Sequence, residues 1–336
     1  MCKAVWICPV SRLLSRFACL QTCKGMQRYI SFDGDGDGTT WTPSRHWKSW
    51  KWTLRQLTGK CEIERIVLQG GGSYGESMRL VEVESHEDKK AKAVAKSVYL
   101  SKKMDEVRSD MFLGSAKELF PTFDVESSVH KITGYKNMSM VNESIPKLKL
   151  LLSKVLVANV YLSALDVIRR KQYDPASDYK MLDRYWNALY PKQPRKSPSD
   201  WKLVGFQGSK PWTDFRGMGM LGLICLVEMV ESEPEAVRNV RERFEELSLA
   251  IVIINLGSVC FELLQTRRFD EIFFSEEIRT KEHVESRVIE IFLDEFRRVF
   301  SRFIQKWALS NRNIMEFNNI IFELKTEMLL LTPSLG

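Results

Sequence analysis

The sequence predicts an all-α protein on two observations. First, two long stretches, 145–170 and 282–307, place apolar residues at intervals close to the 3.6-residue period of an α-helix. Second, no run of alternating apolar and polar residues predicts β-strands, and no internal repeat is visible in the 336 residues. Amphipathic helices that pack their apolar faces together are therefore the expected architecture.

The first predicted helix covers residues 45–60, where tryptophan and leucine are interleaved with lysine and arginine. Gly59 is suited to end this helix, because glycine readily adopts the left-handed conformation that follows many helices. A glycine-rich break at Gly70–Gly75 comes next, followed by a region rich in Glu, Lys and Ala at 82–109. We interpret residues 61–165 as a linker and the helical N-terminal part of the fold.

Two helices are predicted in the middle of the chain. The first, Ile145–Arg170, follows from its apolar spacing. The second, Ser177–Tyr190, begins with Ser177 as its N-cap and ends before Pro191, which cannot continue a helix. A polar, proline-bounded loop is expected at Pro194–Pro198.

The last third of the chain contains four further predicted helices. They cover residues 217–230, 234–264, 282–307 and 314–330. Ser232 is suited to cap the second of these helices, with Pro234 in its first turn. Asn313 and Glu316 have the spacing of a capping box for the last one.

The distribution of charge separates the first 60 residues from the rest of the chain. Those 60 residues contain ten basic and three acidic side chains, which accounts for the whole net charge of +7, so residues 61–336 are neutral. A domain that binds nucleic acid would carry a basic face of its own. We therefore expect no nucleic-acid partner.

The N-terminal 32 residues contain no acid and mix arginine with apolar side chains. This composition is typical of a mitochondrial presequence or of a segment that lies on a membrane surface, and a disordered basic leader is the alternative. Cys2 and Cys8 are candidates for acylation. The seven cysteines include no Cys-x-x-Cys pair, which is typical of a reducing compartment and predicts no metal site.

The tryptophans of residues 45–60 suggest a second contact with membranes. Trp47, Trp50 and Trp52 alternate with lysine and arginine. Tryptophan rings favour the headgroup level, and cationic side chains are attracted to anionic lipid, so residues 1–60 form a candidate membrane-interfacial leader. Alternatively, the tryptophans pack into the core and the charges form a solvated face.

Two glycine-rich motifs resemble known sites but lack their structural context. Gly70–Gly75 satisfies the dinucleotide pattern G-x-G-x-x-G and the hydrolase pattern G-x-S-x-G, yet neither a βαβ unit nor a parallel sheet is predicted after it. Asp33–Gly38 resembles half of a calcium loop, but Ser44 stands where the loop requires a glutamate. Both are interpreted as linkers.

Residues 201–223 contain an aromatic and glycine-rich loop that leads into a helix near Gly217. Thr213 or Asp214 is suited to cap that helix. Arg216 then lies beside the positive end of the helix dipole, where an arginine gains no stabilisation. Either an acid such as Asp214 pairs with it, or Arg216 points outward to bind an anion such as phosphate. The residues alone favour the structural pair.

This segment resembles the signature of the ELMO domain, in the form found in the short ELMO-domain-containing (ELMOD) proteins. The matching residues are Trp201, Gly205, Phe206, Gln207, Gly208, Pro211, Thr213, Asp214, Phe215, Arg216, Gly217, Gly219, Leu221, Gly222 and Leu223. Segments 57–66 and 132–137 also resemble this family, so the likeness extends over roughly residues 47–330. It implies a helical ELMO domain at 166–330 with a helical N-terminal extension.

The resemblance also implies a function, namely that of a GTPase-activating protein for Arf or Arf-like small GTPases. The family's essential arginine corresponds to Arg216, which would be supplied in trans as an arginine finger. The resemblance implies no cofactor, metal or nucleotide site in this chain, since Mg²⁺ and GTP belong to the partner GTPase. Such a protein is expected in the cytoplasm, peripherally on an intracellular membrane.

The other signature residues are expected to support the arginine. Trp201, Phe206 and Phe215 are interpreted as anchors in the core or the loop, and Gln207, Gly208 and Thr213 as parts of the loop. Asp214 is expected to orient Arg216, while Gly217 and Gly219 would allow a partner's backbone to approach closely.

One departure from the signature affects the expected partner. Lys210 stands where the family usually carries an acid before Pro211. If that acid holds the loop or touches the GTPase, the reversed charge alters partner choice or activity. The alternative function is therefore a non-catalytic ELMO-type adaptor that binds a GTPase or another protein.

Overall fold

The computed structural model describes residues 47–68, 85–112, 124–138 and 143–331. Within these ranges the chain forms α-helices joined by loops and short 3-10 turns, and contains no β-strand. The all-α prediction is confirmed for this part of the chain. The motifs at Asp33–Gly38 and Gly70–Gly75, and the basic leader before residue 47, lie outside the described residues.

The described helices follow one another with few long connections. In chain order they are α1 (Trp47–Thr58), α2 (Glu62–Leu68), α3 (His86–Tyr99), α4 (Asp105–Phe112), α5 (Val125–Lys136), α6 (Ser144–Arg170), α7 (Tyr179–Leu189), α8 (Gly219–Ser232), α9 (Pro234–Arg243), α10 (Leu249–Gln265), α11 (Lys281–Leu309) and α12 (Phe317–Leu331). Short 3-10 turns occupy Pro198–Val204, Pro211–Thr213, Arg216–Met218, Asp270–Phe273 and Ile314–Glu316.

Helix α6 is the central element of the fold. It packs against α3, α5, α8 and α11. By length and composition α6 could cross a membrane, but 56% of its apolar window is buried inside the protein. Its apolar surface is therefore satisfied by neighbouring helices, which is the behaviour of a core helix.

Helices α8, α10 and α11 form the second half of the core. Helices α8, α10 and α11 contact one another, and α12 packs against α10 and α11. The amphipathic pattern of α11 is confirmed, because Phe292, Phe296 and Phe300 lie along its buried face with successive ring centroids 6.3 to 6.4 Å apart. One contiguous hydrophobic cluster extends from Cys61 to Met328 and so joins residues 61–165 to 166–330.

An ion pair reinforces this junction between the two parts of the chain. The ammonium group of Lys92 on α3 lies 2.6 Å from the carboxylate of Glu271, in the turn that follows α10. A second ion pair lies within the first part, where Lys154 on α6 pairs with Asp88 on α3 at 3.0 Å. Both lysines are largely buried, so loss of one partner would leave a poorly solvated charge.

The prediction of one helix over 234–264 is wrong, because the structure has two helices there, α9 and α10. The chain leaves the helical conformation at Phe244 and re-enters it after Ser248. The break directs Phe244 and Leu247 into the core, where they are 3% and 8% exposed. Glu246, between them, accepts a hydrogen bond from Trp307 Nε1 at 2.9 Å, which fixes the break against α11.

Two predicted caps are also wrong. Ser177 does not cap α7: its hydroxyl donates to Asp174, whose side chain organises a turn, so the helix begins two residues later at Tyr179. Ser232 belongs to the end of α8, where its hydroxyl donates to Glu228, and Glu233 occupies the N-cap position of α9. Asn313 is an N-cap as predicted, since its Oδ1 accepts from Met315 N, but it caps the 3-10 turn Ile314–Glu316 and the last helix begins only at Phe317.

Helix α1 ends at Gly59 as predicted. Gly59 has φ +68° and its N–H donates to the carbonyl of Arg55 at 2.9 Å, which is the left-handed termination expected of glycine. Lys51 pairs with Glu62 on α2 at 2.5 Å. Trp52 and Leu57 remain 66% and 57% exposed, so α1 presents large apolar side chains to its surroundings.

The core role of α11 predicts a large difference between two phenylalanines. Phe296→Ala should lower the free energy of unfolding by roughly 3 to 5 kcal/mol, because it removes a fully buried ring and leaves a cavity. Phe322→Ala on α12 is the matched control; its ring is 69% exposed, and the loss should stay below about 1 kcal/mol. Urea denaturation monitored by circular dichroism measures both, and equal losses would contradict this packing.

Candidate functional site

The signature loop lies between α7 and α8 and begins with a capped 3-10 turn, Pro198–Val204. The Asp200 carboxylate accepts hydrogen bonds from the backbone N–H groups of Ser197 and Lys196, at 3.0 and 2.6 Å. These bonds stabilise the charged form and hold the pKa of Asp200 below its usual range. The turn places Trp201 and Val204 on its buried side.

Aromatic side chains hold this loop against α7. Trp201, Phe206 and Phe215 are 6%, 4% and 2% exposed, as expected of anchors. Phe206 meets the rings of Trp201 and Phe215 edge to face, and Tyr185 of α7 joins the same cluster at 5.8 Å. The Tyr185 hydroxyl donates to the carbonyl of Val204 at 2.9 Å, so the cluster also carries a polar tie to the loop backbone.

Gly205 lets the loop lie directly on the first turn of α10. Its φ is +92°, in the left-handed region that favours glycine. A Cβ at this position would lie 2.6 Å from the backbone nitrogens of Leu249 and Ala250. The loop and the N-terminus of α10 are therefore in backbone contact, and only glycine fits.

Asp214 closes the second half of the loop. Its side chain is 5% exposed, and its Oδ2 accepts a hydrogen bond from the backbone N–H of Gln207 at 2.7 Å. The Thr213 hydroxyl donates to the carbonyl of Lys210 at 2.8 Å. The predicted capping of the following helix by Thr213 or Asp214 is wrong, because both side chains tie the loop to itself. Gly208 lies in this closed segment, with open space where a Cβ would be.

Arg216 begins the 3-10 turn Arg216–Met218, which precedes α8. The predicted helix start at Gly217 is therefore early, and α8 begins at Gly219. The backbone of Arg216 follows the buried Phe215 and precedes the exposed Gly217. Its side chain lies outside the described residues, so both sequence interpretations of it remain predictions.

The backbone at the end of α6 contacts the residues that follow the turn Arg216–Met218. The N–H of Met220 donates to the carbonyl of Lys171 at 2.8 Å. Gly219 has φ +45°, and a Cβ there would lie 2.5 Å from the Lys171 carbonyl oxygen and closer still to that of Arg169. The close backbone approach at Gly219 is thus made by this chain's own α6, which corrects the expectation that it serves a partner. Gly217 is exposed and has no such neighbour.

Sequence reasoning missed the side chain that contacts the turn itself, Arg169. Its Nη1 donates to the carbonyl of Gly217 at 2.7 Å, while Nε and Nη2 donate to Asp166 at 2.9 and 2.7 Å. The available signal was the spacing of Asp166, Arg169 and Arg170 at the end of α6. That spacing predicts an ion pair but not its contact with a residue 48 positions away.

Two residues beside the signature remain accessible. Trp212 is 38% exposed and stacks on Tyr173, with ring centroids 5.8 Å apart and planes inclined by 11°. Lys210, the departure from the family pattern, is exposed at the same edge of the loop. The site therefore combines a buried aromatic base with an accessible rim that includes an aromatic and a cationic side chain.

The described residues at this site suit binding and charge presentation. No group of three or more His, Cys, Asp or Glu side chains is placed to hold a metal ion within the described ranges. What the loop holds in place is the backbone of an arginine next to an exposed glycine. Such an arrangement can offer a guanidinium to an anion on a partner molecule.

Comparison with known proteins agrees with the signature. The family model described as ELMO/CED-12 family matches residues 164–321. ELMO domain-containing protein 2 of Bos taurus is 31% identical over 249 residues, which cover 69% of this chain and 76% of the relative. ELMO domain-containing protein B of Dictyostelium discoideum is 27% identical over 292 residues, covering 84% of this chain and 93% of the relative. No solved structure matches the chain.

The backbone contact at Gly219 predicts a strong effect of one methyl group. Gly219→Ala should lower the free energy of unfolding by about 2 to 4 kcal/mol, because the new Cβ meets carbonyl oxygens and the positive φ is strained. Gly208→Ala is the matched control in the same loop, where a Cβ has open space, and should change stability by less than about 1 kcal/mol. Thermal denaturation compares the two, and similar melting temperatures would contradict the packing of α8 on α6.

Proposed function

This chain belongs to the ELMO/CED-12 family, as an ELMO domain-containing protein, and from that membership we propose that it is a GTPase-activating protein for an Arf or Arf-like small GTPase. The observation that carries the proposal is the fixed loop around Arg216. Its backbone is bounded by the buried Phe215 and by Gly219, which is packed against α6. An activator of this kind needs a docking surface and one well-aimed guanidinium.

In the proposed reaction Arg216 is supplied in trans to the GTPase. Negative charge spreads over the γ-phosphoryl oxygens and the bridging oxygen in the transition state, and a guanidinium placed there lowers the barrier. An arginine finger accelerates hydrolysis by about 10³ to 10⁵. The GTPase keeps the Mg²⁺, the phosphate-binding loop and the residue that positions the attacking water, so this chain requires no cofactor of its own.

Rigidity of the loop supports this role. A catalytic side chain that acts on another protein must be held close to its working geometry before the partner arrives. Asp214 contributes by closing the loop through the Gln207 N–H. The Phe206 ring packs on Tyr185 of α7, and the Trp201 and Phe215 rings pack on Phe206. These contacts fix the backbone on both sides of residue 216.

The second candidate function is a non-catalytic adaptor. Lys210 favours it, because this exposed residue reverses the charge of the acid that the family usually carries before Pro211. A GTPase surface that pairs with that acid would meet a lysine here instead. The loop would then bind a GTPase or another protein without accelerating hydrolysis.

We also propose that the N-terminal part places the protein on an intracellular membrane, peripherally and from the cytoplasmic side. Residues 1–60 carry the whole excess of positive charge, and the exposed Trp52 and Leu57 lie on α1 beside the basic side chain of Arg55. Such a combination favours an anionic bilayer surface. A mitochondrial membrane is one candidate, from the acid-free composition of residues 1–32.

The finger proposal predicts a specific loss on substitution of Arg216. Arg216→Ala and Arg216→Lys should each reduce stimulated GTP hydrolysis by about 10³-fold or more, because neither side chain provides the forked guanidinium. Helicity and melting temperature should stay close to those of the unmodified protein. Single-turnover hydrolysis by a panel of Arf-family GTPases measures the effect, with Arg298→Lys, an exposed arginine of α11, as the control.

The outcomes separate the two candidate functions. Full stimulation by Arg216→Lys would remove the finger role, and an unfolded Arg216→Ala would favour a buried structural arginine. If no GTPase is stimulated by the unmodified protein but one binds it, the adaptor function stands. If Lys210→Asp then stimulates GTP hydrolysis, Lys210 is the reason that the unmodified protein does not.

The membrane proposal predicts weaker vesicle binding when α1 loses its exposed tryptophan. Trp52→Ala should reduce co-sedimentation with vesicles of phosphatidylcholine and phosphatidylserine by about fivefold or more, since a tryptophan ring contributes strongly at the headgroup level. Trp212→Ala, in the signature loop, is the matched control and should bind as the unmodified protein does. Unchanged binding by Trp52→Ala would rule out α1 as the contact.

A further inference from the structure

The guanidinium of Arg169 joins three parts of the fold beneath the turn that carries Arg216. Arg169 belongs to the last turn of α6, and its Nη1 reaches the carbonyl oxygen of Gly217 at 2.7 Å. The ring of Phe261 on α10 lies 4.7 Å from its central carbon. One side chain therefore connects α6, α10 and the residue that directly follows Arg216.

Asp166 fixes the orientation of this guanidinium. Its Oδ1 accepts from Nε and Nη2 of Arg169, at 2.9 and 2.7 Å, so the remaining fork nitrogen, Nη1, points at the Gly217 carbonyl. The Arg169 side chain is 24% and that of Asp166 is 22% exposed. Charge-assisted bonds in such a partly buried place are short and directional, so the contact with the turn is set in advance.

The backbone of α6 holds the other side of the same turn. The carbonyl of Lys171 accepts from the N–H of Met220, and Gly219 packs against the Arg169 and Lys171 carbonyls. The turn Arg216–Met218 is thus tied to the end of α6 by a side-chain donor at residue 217 and by backbone acceptors at residues 219 and 220. Among these ties, the Arg169 bond is the one next to Arg216.

We propose that Arg169, oriented by Asp166, is a positioning residue that sets the direction of Arg216 by holding the Gly217 carbonyl. The inference rests on the proposed activator function. A misplacement of about 1 Å at a reacting group can cost about 100-fold in rate. Loss of the Arg169 bond removes one hydrogen bond from the turn, while the aromatic cluster and the backbone contacts with α6 remain. The protein should therefore still fold, but Arg216 should be held less firmly in its direction.

Kinetics of the full-length protein test the functional part. In single-turnover assays with a GTP-loaded Arf-family GTPase, the concentration of activator is varied to give the maximal rate and the half-saturating concentration. Arg169→Gln should lower the maximal rate by about tenfold or more and change the half-saturating concentration by less than about threefold, because docking is retained. Arg169→Lys, which keeps one donor but not the fork, should recover part of the rate.

Two further variants show whether Arg169 acts through Arg216. Arg170→Gln removes the neighbouring arginine, which shares the Asp166 carboxylate but lies on the exposed side, and should leave the maximal rate within about twofold. The double variant Arg169→Gln, Arg216→Ala should be no slower than Arg216→Ala alone. The proposal would be overturned if the two substitutions lowered the maximal rate multiplicatively in the double variant. It would also be overturned if Arg169→Gln changed only the half-saturating concentration.

Hydrogen exchange tests the structural part without any GTPase. The peptide that spans residues 216–220 should exchange its amide hydrogens at least threefold faster in Arg169→Gln than in Arg170→Gln, while peptides from α11 stay unchanged. Equal exchange in the two variants would overturn the positioning role. If exchange increases but Arg216→Ala retains full stimulation, the turn is held as inferred and it is the proposed function that fails.

Discussion

The contact between the C-terminal end of α6 and the N-terminal end of α8 determines where the signature loop can lie. The last carbonyl groups of a helix and its first N–H groups have no partner within that helix. Here the N–H of Met220, in the first turn of α8, donates to the carbonyl of Lys171, the residue that follows α6. Their partial charges are also opposite, which favours the meeting. Gly219 makes the approach close enough, and residue 216 is consequently fixed relative to the C-terminal end of α6.

The rest of the loop depends on two further contacts, one of backbone on backbone and one among aromatic rings. Gly205 lies on the backbone at the start of α10, and Phe206 inserts among the rings of Trp201, Tyr185 and Phe215. The loop is therefore attached to α6, α7 and α10, three helices that belong to one hydrophobic cluster. Core packing, rather than hydrogen bonding within the loop alone, accounts for the fixed backbone on both sides of the arginine.

The sequence predicts the elements that depend on local pattern and misses those that depend on distant partners. Periodic apolar spacing located α6 and α11 within one or two residues of their bounds. Capping reasoning failed at Asp214, because its partner is the N–H of Gln207 and not that of the next helix. For helix α3 the sequence predicts only a charged region, because lysine and glutamate obscure its buried face. That face comprises Ala91, Lys92, Val94, Ala95, Ser97 and Val98.

The signature residues fall into a buried group and an exposed group. The buried group determines the shape of the loop, and the exposed group determines what a partner meets. The buried members, Phe206, Phe215 and Gly219 among them, contact this chain's own helices, so their presence specifies the shape of the loop. The exposed rim includes Lys210, whose backbone carbonyl accepts the Thr213 hydroxyl whatever side chain stands there. A lysine in place of the family's acid therefore changes the charge that a partner meets and leaves this tie within the loop intact.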